Sequence, residues 1–265
     1  MQVGATGGEG EGMVGDGRET RRAIVTGAST GIGAEVARRL AAGGAELWLT
    51  YASDEAGAAH TVEACRAEGV AVRASRLDLR SIAAIDAFAA EVRDGWGYVN
   101  VVVNNAAICP WTPWDEITPD EWDAVLETNL RGPFRLLQQT VPLVRVAPGD
   151  RSIVNLASVA GQTGGIATSV HYAASKGGVL ALTRSFARLL APEGIRVNAV
   201  APGPVRTAMT DALDDERRAG LASGVPLGRF GTVAEVAAAV ALLASPEAGF
   251  TTGATYDVNG GLRID

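Results

Sequence analysis

Lysine is almost missing from this chain of 265 residues: Lys176 stands alone, and every other basic side chain is arginine. Cysteine is scarce too. Cys65 and Cys109 suit neither a disulfide framework nor a metal cluster, so no metal is expected and a reducing cytoplasm is the simplest compartment. No apolar run reaches the roughly 18 residues that a membrane span needs. The N-terminus lacks the basic-then-apolar layout of a secretory signal. Positive charge is in deficit, and the net charge of −7 argues against a nucleic-acid or anionic-membrane partner. Bulky apolar side chains are nearly absent from residues 1–20, which are rich in glycine and glutamate and are expected to form a mobile tail. Residues 21–265 then fit one α/β domain, or at most two small ones.

The lone lysine falls in a suggestive place. Lys176 follows Tyr172 by four positions, so on a helix both side chains leave the same face, one turn apart. An ammonium beside a phenol favours the phenolate, which is expected to draw the tyrosine pKa down from about 10 toward working pH. A tyrosine tuned in that way gives or takes a proton. Arginine is no substitute, because its charge is spread over a planar fork. Ser158 precedes a glycine-bearing loop that leads back to Tyr172, and its hydroxyl could hold a carbonyl oxygen beside the phenol.

Elsewhere strand and helix signals alternate. Residues 23–26 read as a buried strand, 27–33 as a glycine turn and 34–42 as a helix. Gly27, Gly31 and Gly33, with Ser29, Thr30 and Ile32 among them, form a layout that holds a pyrophosphate. The glycines let the backbone approach, and the helix N-terminus supplies amide donors. A plain tight turn would leave the same trace. At the end of the second strand, 46–51, Thr50 occupies the place where an acid would bind a ribose 2′-hydroxyl. With Tyr51, Ala52 and Ser53 it leaves room for a 2′-phosphate, which favours NADP(H) over NAD(H). Against that, no basic residue stands in the glycine loop, and Asp54 is close by.

A helix over 55–68 and a strand over 70–77 lead to Asp78 and Leu79. Asp78 suits an adenine amine or the cap of the next helix, 81–94. Strand 99–103 delivers Asn104, Asn105, Ala106 and Ala107 to the sheet edge where α/β ligands bind. Trp111 and Trp114, each preceded by a proline, form a stiff loop that could wall a substrate pocket or simply pack. Cys109 reads as a packed thiol with no basic neighbour in sequence. One long helix or two cover 119–144, with Asn129 inside, either tolerated or holding a water, and Pro142 is expected to perturb the end. Strand 152–156, helix 172–190 and strand 196–200 follow. Pro202, Gly203, Val205 and Thr207 then turn at a strand's C-terminal end. Residues 208–226 read as a lid or as a solvated surface helix. A helix over 232–243 carries a capping box, Thr232 with Glu235, and 254–258 closes the sheet. The pattern predicts a single α/β domain with a Rossmann-type doubly wound parallel sheet.

TGASTGIG at 26–33, NNAA at 104–107, Asn129, Ser158, YAASK at 172–176 and PGPVRT at 202–207 occur in this order. On these motifs the chain resembles the short-chain dehydrogenase/reductase family, in the subgroup of 3-oxoacyl-carrier-protein reductases, over about residues 21–263. The resemblance implies roles. Tyr172 is the acid in reduction. Lys176 binds the nicotinamide ribose and lowers the tyrosine pKa. Ser158 polarises the carbonyl, and Asn129 positions a water in a relay ending at Lys176. Gly27, Gly31 and Gly33 line the pyrophosphate, Asp78 the adenine, Asn105 the adenosine ribose region, and Thr207 the nicotinamide amide. It also implies a homotetramer or homodimer. Two departures stand out: Ala107 replaces a glycine, and Glu193 lies where a basic residue would meet an acidic carrier protein, although Arg135 could serve. The expected activity is NADP(H)-dependent reduction of a 3-oxoacyl thioester, free or carrier-bound, a polyketide-like ketone or another apolar carbonyl. An NAD-dependent alcohol, sugar or steroid dehydrogenase and a non-catalytic nucleotide sensor are the alternatives.

Overall fold

The computed structural model describes residues 20–264 apart from 166–167, 208–209 and 211–214. The stretch read as a tail lies outside these residues except for Thr20, as does part of the 208–226 segment. The apolar runs become β1 (Arg22–Val25), β2 (Glu46–Tyr51), β3 (Val72–Arg76), β4 (Val101–Asn104), β5 (Arg151–Leu156), β6 (Ile195–Pro202) and β7 (Thr255–Val258). The helices among the described residues are α1 (Gly31–Ala42), α2 (Glu55–Arg66), α3 (Ile82–Trp96), α4 (Pro119–Leu126), α5 (Gly132–Arg145), α6 (Ala160–Thr163), α7 (Val170–Leu190), α8 (Asp215–Ser223) and α9 (Val233–Ala244).

The strands pair in parallel in the order β3-β2-β1-β4-β5-β6-β7. This is the doubly wound sheet that the alternation predicted. Successive residues of β1 point to opposite sides. Ala23 and Val25 join a core with Val36 and Leu40 of α1, Val62 of α2 and Val240 of α9. Ile24 joins the other core, with Ile85 of α3, Leu136 of α5 and Ala187 of α7. Both faces are covered, which is why these strands read as unbroken apolar runs rather than alternating ones. The chain winds from β1 out to β3 and then crosses back to β4. α1 and α5, which follow β1 and β4, therefore pack on opposite faces of the sheet, and a crevice opens at the C-terminal ends of the two strands.

Several local expectations are corrected. α1 begins at Gly31, inside the glycine turn, and α7 begins at Val170, so Tyr172 lies within its first turn. Asp78 caps no helix; Ser81 caps α3, accepting from Ala84 N at 3.2 Å. The 119–144 helix is broken by a π turn at Glu127–Arg131. Pro142 sits inside α5, which continues to Arg145. The break falls instead at Asn129, whose side chain is pulled into bonds with neighbouring elements.

Candidate active site

The loop after β1 fits only glycine at two points. A Cβ on Gly27, where φ is +66°, would meet Ala106 Cα at 2.8 Å, and one on Gly33 would meet Gly27 O at 2.3 Å. The loop after β4 is stitched to it. Asn105 N and Ala106 N donate to Thr26 Oγ1 at 3.0 and 3.1 Å, and Asn105 Nδ2 donates to Thr26 O and Gly27 O at 2.8 and 3.0 Å. The Asn105 amide nitrogen is thus committed to backbone, so a ligand would meet its carbonyl oxygen. Asp54, Ser81, Thr118 and Thr232 cap α2, α3, α4 and α9 with their side chains, whereas Thr30 makes no such bond to α1. The first amides of α1 line the cleft without a side-chain cap, at the positive end of the helix dipole. That cradle fits a pyrophosphate.

One cleft of about 920 Å³ gathers the residues that the sequence proposed for the cofactor. It runs from Gly27, Ser29, Thr30, Gly31, Ile32 and Gly33 past Thr50, Tyr51, Ala52 and Ser53 to Asp78 and Leu79. Asn105 and Ala106 lie on its floor loop, and Pro202, Gly203, Val205 and Thr207 on the opposite rim. Ser158, Tyr172 and Lys176 line the same cleft; Asn129 does not. Trp111 lines it too, but Trp114 is 75% exposed and outside it.

Ser158 follows β5 and leads into α6. A Cβ on Gly161 would meet the Lys176 carbonyl carbon at 2.5 Å, so this glycine lets α6 lie directly on the backbone of α7. Ser158 Oγ accepts from Ala160 N at 3.1 Å and its hydroxyl hydrogen-bonds the Tyr172 phenol. Lys176 is buried, its Nζ donates to Leu156 O at 2.6 Å, and it sits 5.7 Å from the Tyr172 ring centroid.

The expected drop in the Tyr172 pKa is corrected. Burial holds the phenol well above its ordinary value, and the Cys109 thiolate would push it the same way; the hydrogen bond with Ser158 pulls it back only in part. Lys176 is itself lowered to about 8 by burial. Exclusion of water from both groups outweighs the attraction on which the expectation rested. Cys109, expected to have no basic neighbour, lies within the field of Lys176, yet burial raises its thiol to about 11. It is a packed, unactivated thiol.

Asn129 Oδ1 accepts from Ile108 N at 2.9 Å, while Nδ2 donates to Ile108 O at 2.8 Å and Ser175 Oγ at 3.1 Å. It borders a second cavity of about 10 Å³ that also touches Lys176, Asn104 and Asn155. That volume is of the order of one water. Asn104 Oδ1, buried there, has no partner among the described residues.

A family model described as enoyl-(acyl carrier protein) reductase matches residues 27–263. A 3-oxoacyl-[acyl-carrier-protein] reductase FabG from Staphylococcus aureus is 41% identical over 246 residues, covering 92% of this chain and 99% of its own. The chain belongs to the short-chain dehydrogenase/reductase family. A FabG from Salmonella typhimurium is also 41% identical, over 93% of this chain and 98% of its own. A blue fluorescent protein from a metagenomic library, solved in complex with NADPH, matches with a TM-score of 0.86 at 36% identity, covering 92% of this chain and 98% of that one. This reductase is therefore an NAD(P)-dependent oxidoreductase acting on a carbonyl or alcohol.

Sequence reasoning missed Arg76. It lies at the end of β3, in register with Tyr51, lines the cleft, and donates from Nε to Ala52 O at 3.0 Å. A basic residue was sought in the glycine loop, and only strand register brings this one beside Tyr51 and Ala52. Asp54, the nearby acid, is turned to its own helix and accepts from Gly57 N at 2.9 Å. Asp78 faces the cleft with its carboxylate forked by Arg80, at 2.8 Å from Nη2. Ala107 costs no strain, since no described residue other than glycine has a positive φ. At the rim expected to meet a carrier protein, Arg135 is held bidentate by Asp86, at 2.8 and 2.7 Å, and Glu193 pairs with Arg145.

Proposed function

We propose that this reductase converts the ketone of a 3-oxoacyl thioester, or of a related apolar carbonyl compound, to an alcohol with NADPH. The observation that carries the reading is the meeting of Ser158, Tyr172 and Lys176 in the cleft that the glycine loop opens. Two named relatives that reduce 3-oxoacyl thioesters and the NADPH-bound neighbour support it. For the choice of cofactor, Arg76 and the hydroxyl of Ser53 stand where a 2′-phosphate would need charge and donors, and Thr50 offers no acid to repel it.

The uncapped start of α1, with Gly27, Gly31 and Gly33, would hold the pyrophosphate, and Thr207 would close over the nicotinamide end. The nicotinamide supplies a hydride when bound. Ser158, hydrogen-bonded to Tyr172, would turn its hydroxyl proton to the carbonyl oxygen and orient that oxygen toward Tyr172. Tyr172, kept protonated by its raised pKa, gives its proton to that oxygen, because an alkoxide is far more basic than a phenolate. Lys176 supports the transient phenolate and would meet the ribose hydroxyls. Asn129 holds the wall of the small cavity beside Lys176, where one water would donate to Asn104 Oδ1 and accept from the ammonium. The substrate side of the cleft is walled by Ile108, Cys109 and Trp111, which suits an apolar acyl chain.

A panel decides. We expect turnover of 3-oxoacyl thioesters and apolar ketones with NADPH, and weaker turnover with NADH. A 2-enoyl thioester, suggested by the description of the family model, should be a poor substrate, because Ser158 and Tyr172 converge on an oxygen. With Arg135 and Glu193 already paired, a carrier-bound thioester should gain little over a pantetheine thioester. Preference for NADH, or faster reduction of the enoyl compound, would overturn the reading. A cytoplasmic homotetramer or homodimer completes the proposal, and light scattering on the full chain would test the assembly. The non-catalytic alternative gains no support from a cleft that holds all three groups.

A further inference from the structure

Beside the proton-transfer residues lies a polar pair, a buried imidazole and a partly exposed carboxylate, that the mechanism leaves unused. His171 immediately precedes Tyr172 and is fully buried. Its Nε2 lies 3.0 Å from Oε1 of Glu121 on α4, and the Trp122 indole stacks on the ring with centroids 6.2 Å apart and planes 23° apart. Nε2–H donates to the carboxylate, because His171 Nδ1 is buried without a partner among the described residues. A proton on Nδ1 would be a buried donor with no acceptor, whereas a bare Nδ1 is only an unfilled lone pair.

Glu121 also hydrogen-bonds the side chain of Thr112, next to Trp111. Two further bonds act on the same segment. Ser169 Oγ donates to Pro110 O at 2.7 Å, and Asn129 holds both backbone groups of Ile108. Residues 108–112 are thus tied at three points, to α4, to the start of α7 and to the π turn. Ile108, Cys109 and Trp111 of this segment line the same cleft as Tyr172. A buried imidazole is not needed to begin a helix, and an apolar residue would fill the space without the desolvation cost.

We propose that Glu121 and His171 are positioning residues, which hold residues 108–112 at a fixed distance from the Tyr172 phenol and so set affinity for the ketone rather than the rate of its reduction. This rests on the ketoreductase reading above. The test compares the full-length protein with Glu121→Ala, Glu121→Gln and His171→Phe. Hydrogen exchange of the 108–112 amides and the kinetics of ketone reduction are both measured. Glu121→Ala and His171→Phe should speed that exchange and raise the ketone KM about ten-fold, with kcat and cofactor affinity changed less than about two-fold, as expected for losing a hydrogen bond to a charged group. Glu121→Gln, whose amide oxygen still accepts from Nε2, should restore most of both. Should His171→Phe not fold, the partly exposed Glu121 still carries the comparison. Unchanged exchange and KM in Glu121→Ala, or a fall in Tm with KM unaltered, would overturn the proposal. If the unmodified protein reduces no ketone, the functional reading fails instead, and exchange alone still judges the latch.

Discussion

Lys176 is a charge held where charge is costly, with the Leu156 carbonyl as the acceptor of its one hydrogen bond among the described residues. Its pKa, lowered to about 8, lies below the roughly 10.4 of an unfolded lysine. Between these values the unfolded chain binds more protons than the folded one, so stability rises with pH across that window and is lower at neutral pH. Lys176→Met should therefore raise Tm while abolishing turnover; a lower Tm would show that the ammonium stabilises the fold on balance. Cofactor affinity, which would draw on the same charge, should weaken as pH rises through about 8 in a binding titration. Tyr172→Phe should cost about 10²- to 10⁴-fold in kcat with cofactor binding intact, the range for losing a general acid. Near-normal activity would remove Tyr172 from that role. Arg76→Gln should weaken NADPH binding about ten-fold, as losing a hydrogen bond to a charged group does, and leave NADH binding unchanged. An equal loss for both cofactors would mean that Arg76 does not read the phosphate.

Some elements were legible because their signals are local. Thr232 and Glu235 form the capping box that their spacing announced: Glu235 N donates to Thr232 Oγ1 at 3.2 Å, and Thr232 N to Glu235 Oε2 at 2.7 Å. The Arg229 guanidinium, together with the Thr232 backbone and hydroxyl, holds the Glu235 carboxyl down to about 2. Its contribution is present above the ordinary carboxyl pKa and is lost as pH falls toward 2. Thr232→Ala should destabilise the fold by about 1 kcal/mol, read as a lower denaturant midpoint at unchanged m-value. No change would mean that packing of α9 alone holds its start. The π turn was not legible. Nothing in residues 127–131 announces it, because the bonds that favour it run from Asn129 to Ile108 and Ser175, far away in sequence.

Across the whole molecule the sheet ends carry different tasks. The C-terminal ends open the cleft; the far end is locked by Asp150. That carboxylate takes Arg196 at 3.0 Å and Arg21 at 3.1 Å, while Arg196 also donates to Leu243 O at 2.8 Å and Ser245 O at 2.9 Å. β1, β6 and the end of α9 are thereby tied together. Asp150→Ala would strand the buried Arg196 and should cost about 3 kcal/mol of stability, with the activity of the folded fraction retained. A loss under 1 kcal/mol by denaturant titration would show that the carbonyls alone satisfy the arginine. The alternation of strands and helices, the glycine turn, the capping box and the meeting of Ser158, Tyr172 and Lys176 in one cleft followed from the sequence by itself, because periodicity, turn chemistry and motif spacing act over a few residues. Strand register brought Arg76 to the cofactor cleft, packing set Cys109 near Lys176 and His171 against Glu121, and burial raised the Tyr172 pKa that a neighbouring ammonium was expected to lower. Those outcomes belong to tertiary structure alone, because the exclusion of water around a group is the work of residues remote from it in the chain.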